Sequence, residues 1–113
     1  TWLSDLPVLT IALGATPSNI IQGFEDADCV YVWSRTNSAY TGTITVSVVA
    51  DTSTATNSAV RADLNSAGSD VTLAAGNVVP ITDTAFRGLM VYSSATESAV
   101  RTFTVTKRVR VGH

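Results

Sequence analysis

Lys107, Arg108 and Arg110 place three cations within four positions of the run RTFTVTKRVRV, Arg101 to Val111. Such a cluster suits three tasks: neutralising phosphates, pairing with carboxylates of another protein, or guarding a strand edge against edge-to-edge association. A second group is acidic, since FEDAD carries Glu25, Asp26 and Asp28. Hard cations such as calcium take several oxygen ligands of this kind. The segment nevertheless lacks the turn glycine and the distal bidentate Glu of a calcium loop, so a solvated turn is expected. Aromatic side chains form a third group: Tyr31 and Trp33 share one face of an extended segment, and Tyr40 follows in a loop. A flat exposed ring can stack on a sugar, but aromatics on a central strand usually pack into the core. Tyr40 and Trp2 are therefore the expected surface contacts.

Acid-base and nucleophilic catalysis call on His, Cys, Asp or Glu held in a polar cleft. The single histidine is His113, at a chain end where fixed geometry is hard to maintain, and the single cysteine, Cys29, sits in an apolar run where an inert buried thiol is expected. One cysteine permits neither an intrachain disulfide nor a zinc cluster. Neither G-x-x-x-x-G-K-[ST] nor G-x-G-x-x-G occurs, so nothing suggests a phosphate cradle. The expectation is a non-enzyme with no catalytic residue, no cofactor and no metal. A net charge of -2 and a pI near 5.0 argue against nucleic acid as a partner, because phosphate neutralisation needs excess cations. No apolar run approaches the length of a membrane span, and no leader pattern is visible.

The elements that must carry these side chains are strands. A chain of 113 residues fits one hydrophobic core, and alternation of period two, broken by turn signals at short intervals, dominates it. LPVLTIAL (6–13) places Leu9, Ile11 and Leu13 on one face, and NII offers a short second strand. ADCVYVWS (27–34) is apolar on both faces, and TITVSVVA (43–50) turns Ile44, Val46 and Val48 inward with Thr43, Thr45 and Ser47 outward. DTSTATNS (51–58) has no apolar period and reads as an exposed loop. Short strands AVRADL, DVTLA and NVVPI follow, and Pro80 marks the last of these as an edge or a bulge. FRGLMVYSS and AVRTFTVTKRVRV then predict a hairpin across ATES, with Phe103 and Val105 in the core and RVRV continuing towards a sheet edge. The predicted fold is an all-β antiparallel β-sandwich, Ig-like or jelly-roll-like, of about eight strands. It forms one domain over 1–113, with 1–5 as an N-terminal contact arm and 112–113 as a tail.

The segments LTIALGATPS, DCVYVWS, TGTITVSVVAD, FRGLMVYSS and A-x-R-T-F-T-V together resemble a pattern found in small β-sandwich structural proteins of tailed bacteriophages. The resemblance spans most of residues 6–111 and rests on strand and turn chemistry. It implies a non-enzymatic virion component, a capsid decoration or auxiliary protein assembled in the host cytoplasm. Such a protein binds the outer surface of the capsid and stabilises it as a homo-oligomer. The partners implied are the major capsid protein or neighbouring virion proteins. On this reading Trp2, Leu3, Lys107, Arg108 and Arg110 are the expected partner-binding residues; the basic ending KRVRVGH departs from the pattern by extending the last strand. The alternative is a carbohydrate-binding or host-attachment module of a phage fibre or tail, contacting its ligand through Tyr40 and the loop 51–58.

Overall fold

A computed structural model of the chain describes residues 2–36, 38–49, 61–63, 65–66, 69–82, 84 and 87–109. They form two principal antiparallel sheets and no helix. The strands are β1 (Trp2–Asp5), β2 (Leu9–Ile11), β3 (Ala27–Ser34), β4 (Ile44–Val49), β5 (Arg61–Asp63), β6 (Asn65–Ser66), β7 (Ser69–Asp70), β8 (Val78–Ile81), β9 (Gly88–Ser93) and β10 (Arg101–Val109). The larger sheet has the order β1-β10-β3-β8, with β2 also on β10; the smaller is β5-β4-β9, and β6 pairs with β7 alone.

Alternation along β3 and β10 determines what the larger sheet buries. Val30 and Val32 of β3 lie opposite Lys107 and Val105 of β10, and this row, with Phe103, faces inward. It meets Ile44 and Val46 of β4 and Leu89 and Val91 of β9, while Leu9, Ile11, Phe24 and Leu73 fill the space between the sheets. Each such side chain contributes about 1.5–3 kcal/mol by leaving water. The other rows of the smaller sheet are buried as well, since Thr45, Ser47, Val49 and Met90 are all inaccessible. Thr45 and Ser47 therefore do not form a solvated face as expected, and Val48 is only half-buried.

Further expectations change. The ATES segment does not close a hairpin, because β9 pairs with β4 and β10 pairs with β3, so residues 94–100 cross from one sheet to the other. The final strand is not an edge. Trp2–Asp5 pairs with Val109–Thr106 on one side and β3 pairs on the other, which leaves β10 interior. Residues 2–5 accordingly form a strand on β10. β1 and β2 lie end to end along β10, interrupted where Pro7 has no N–H to give, although Leu6 N–H still reaches the Val105 carbonyl at 2.9 Å. Leu13 leaves the sheet before Gly14, whose φ of 77° turns the chain, and is exposed. The NII segment contributes one isolated bridge, Ile21 to Leu89, rather than a strand. Pro80 falls on β8, at the sheet edge, as its missing donor requires.

Candidate functional site

Of the cations of the C-terminal run, Lys107 and Arg108 leave β10 on opposite faces. Lys107 is on the inner face of β10, opposite Val30, and its Nζ reaches down to the Gly23 carbonyl at 2.9 Å and to Asp26 Oδ1 at 2.7 Å. Arg108 projects from the outer face. Between Arg108 and Val109 the register shifts so that Asp28 of β3 is skipped in the pairing, a bulge that brings Asp28 Oδ1 to 2.8 Å from Arg108 Nε. The acidic turn and the basic strand thus neutralise each other within the chain. The hydrogen bond from Lys107 holds the Asp26 carboxyl below its ordinary range, and the bond to Asp28 raises the affinity of Arg108 for its proton. Arg110, the Trp2 side chain and the loop 51–58 lie outside the described residues. Leu3, opposite Arg108 on β1, is 63 % exposed.

Tyr40 is drawn into the fold. Its ring packs 5.6 Å from Phe103, the Arg101 guanidinium lies 5.4 Å from its centroid, and its hydroxyl bonds Ser34 Oγ. Burial pushes the phenol above its usual value. With both the ring and the hydroxyl engaged internally, Tyr40 is poorly placed to present a platform. Beside it, Ala39, Gly42, Ile44, Leu73 and Ala74 line a shallow cleft of about 300 Å³. Among the described residues that line it, the phenol is the one titratable side chain.

Sequence reasoning missed Glu97, which is buried in the crossing segment. Its Oε1 accepts from Thr41 N–H at 3.0 Å and Arg101 Nε at 2.7 Å; its Oε2 accepts from Gly42 N–H at 2.9 Å and Ser93 Oγ at 2.6 Å. Its backbone receives Gly14 N–H and donates to the Ala15 carbonyl. Burial works to raise the Glu97 pKa, but the hydroxyl, the two amides and the guanidinium outweigh it and hold the group at about 2. The carboxylate thereby ties the Thr41–Gly42 loop to the ends of β9 and β10, and the Glu97 backbone adds the Gly14–Ala15 turn. All four contacts are internal to the fold, so the arrangement serves as a structural clamp. The sole sequence hint is a Glu four residues before an Arg in a charge-poor turn. Cys29 is 2 % exposed, as its apolar run predicts. Among the described residues, no three His, Cys, Asp or Glu side chains gather as metal ligands.

The outer face of the larger sheet presents a different chemistry. Trp33, 40 % exposed, lies between Thr104 of β10 and Val78 of β8, and Tyr31 lies between Thr106 and Pro80. The two ring centroids are 6.4 Å apart with planes tilted by 47°. The aromatic row is therefore bordered on one side by Thr104 and by Thr106, whose buried hydroxyl donates to Asp5 Oδ1 at 3.2 Å, and on the other by small apolar groups. No protein-family model matches the chain, and no curated protein or solved structure matches it.

Proposed function

We propose that this chain is a non-enzymatic virion structural protein that binds the outer surface of a phage capsid and stabilises or decorates it. Its partners are the major capsid protein or neighbouring virion proteins, and it acts as a homo-oligomer. The observation that supports this reading is β1, a short strand at the edge of the larger sheet carrying Leu3 exposed to solvent. An edge strand can extend its ladder into a partner, with backbone hydrogen bonds supplying affinity and outward side chains supplying specificity. The charged groups sit otherwise: Lys107 and Arg108 already hold carboxylates of their own chain. Association therefore turns on the β1 edge and apolar contact more than on the basic run.

The test is add-back. Capsids purified without the protein should rebind it at fixed stoichiometry and gain resistance to heat. Leu3→Asp should fold normally and lose most of that rebinding, because it sets a charge in the contact. Failure of the unaltered chain to rebind refutes the function, and full rebinding by Leu3→Asp removes β1 from the contact.

A further inference from the structure

We propose that the outer face of the larger sheet, on β3 and β8, is a saccharide-binding platform in which a pyranose ring stacks on Trp33 and Tyr31. This site lies towards the sheet edge opposite β1 and does not draw on the capsid reading.

Three features of the face select this occupant. The rings form a row along β3 on a side of the sheet that the second sheet does not cover, and Val78 beside Trp33 is also 40 % exposed. Tyr and Trp combine a broad apolar surface with a polar tip, which suits a ligand that has an apolar C–H face and a polar rim. Hydrogen-bonding groups border the row. Thr104 stands opposite Trp33, and at the far end Arg108, paired with Asp28, also directs Nη1 to the Tyr31 hydroxyl at 3.4 Å. Beneath an apolar protein surface these groups would lose water without replacement, at a cost in free energy. A sugar brings its own hydroxyls to them. Finally, the line of β3 runs on past Trp33 into a cleft of about 210 Å³ lined by Arg35, Thr36, Val100, Arg101 and Thr102. A stacked ring therefore has an adjoining recess for a substituent or the next sugar, with the exposed Arg35 as hydrogen-bond donor.

Stacked nucleobases would also suit the rings, but single-stranded nucleic acid needs a continuous cationic groove along its backbone. Here Arg108 is neutralised by Asp28, and Lys107 projects from the opposite face to Asp26. A protein partner of ordinary affinity needs on the order of 800 Å² per side with an apolar centre. A ring pair with Thr104 on one side and Arg108 at its end is smaller and more polar than that.

The experiment is titration of the purified chain, followed by NMR and calorimetry, with four defined probes. Three are neutral, namely cellohexaose, maltohexaose and the hexamer of N-acetylglucosamine; the fourth is hexagalacturonate. At least one probe should shift the Trp33 indole N–H together with Thr104 and Val78 resonances. Trp33→Ala should weaken that binding about tenfold or more, the scale of one lost stacking contact, while Trp33→Phe retains part of it. Both variants should keep the parental NMR pattern at Val30, Val32 and Phe103, which lie on the other face. Arg35→Ala should weaken hexagalacturonate selectively if the recess holds a carboxylate; equal weakening of a neutral probe places a hydroxyl there. The proposal is overturned if none of the four probes shifts Trp33 at millimolar concentration. Binding unchanged in Trp33→Ala, or a single-stranded oligothymidylate that binds the same residues more tightly than every sugar, also overturns it.

Discussion

Replacing Glu97 by Gln preserves shape and removes the charge from the clamp between loops. An amide oxygen can take over the duties of only one carboxylate oxygen. If the amide nitrogen occupies the Oε1 position, it faces the Thr41 N–H and the Arg101 guanidinium; at the Oε2 position it faces the Gly42 N–H. Either way a backbone donor loses its acceptor, at about 1–3 kcal/mol. The Arg101 side chain, 11 % exposed, also loses its countercharge. Removing one partner of a buried pair costs about 3–5 kcal/mol, and that range is the expected loss at neutral pH by urea denaturation. The pH dependence tests the same contacts independently. The carboxyl is held at about 2 in the folded chain against 4.5 unperturbed, so its stabilisation is complete above about pH 4.5. It declines as pH falls through that interval and is gone below about 2. The depression corresponds to about 3 kcal/mol of acid-sensitive stability, which the Gln variant should lack. A variant within about 1 kcal/mol of the parent at pH 7, or one whose acid profile matches the parent's between pH 4.5 and 2, refutes the argument.

Other substitutions separate inward from outward chemistry. Lys107→Met should cost about 1–3 kcal/mol, since it strands the Gly23 carbonyl, whereas Arg108→Ala, at a more exposed pair, should lower the melting temperature less; thermal melts of the two variants give the comparison. Gly42→Ala places a methyl against Ser93 Oγ and within 2.6 Å of the Ala95 nitrogen, so it should destabilise by about 1–3 kcal/mol and disturb the amide resonance of Thr41. Phe103→Ala should cost about 3–5 kcal/mol in urea titrations and free the Tyr40 ring that packs on it, seen as a change in near-ultraviolet circular dichroism.

Periodicity carried the strands well. ADCVYVWS spans β3 end to end, and the apolar alternation of Phe103 and Val105 correctly placed the inner face of β10. The strand WLSD was missed because its polar pair Ser4 and Asp5 gives no apolar face, and its place depends on β10, about a hundred residues away. The hairpin expectation failed for a related reason. Chain proximity favours pairing β9 with β10, but Glu97 turns inward and fastens the link to Thr41, Gly42 and Ala15, which holds the crossing between sheets. The basic cluster was legible as charge and illegible as geometry. Lys107 and Arg108 are neighbours in sequence and face opposite sides of a sheet, and their carboxylate partners, Asp26 on a turn and Asp28 on β3, sit some eighty positions earlier. Trp33 was assigned correctly to a face shared with Tyr31; that this face looks outward depends on which side the second sheet covers, and two apolar faces on one strand leave that undecided.

The place of β10 also constrains the order in which the molecule can assemble. It lies between β1 and β2 on one side and β3 on the other, yet it follows them all in sequence. A nascent chain emerging from the ribosome therefore holds the flanks of its larger sheet long before it holds the centre. Until Arg101–Val109 is made, β3 has, among the described strands, β8 alone to pair with, and β1 and β2 have none. Contact order is correspondingly high, with Asp5 meeting Thr106, so closure is entropically late and slow compared with a fold of local hairpins. Through that interval the edge of β3 that β10 will occupy stays unpaired, which makes the partly synthesised chain, more than the finished one, the species most exposed to aggregation.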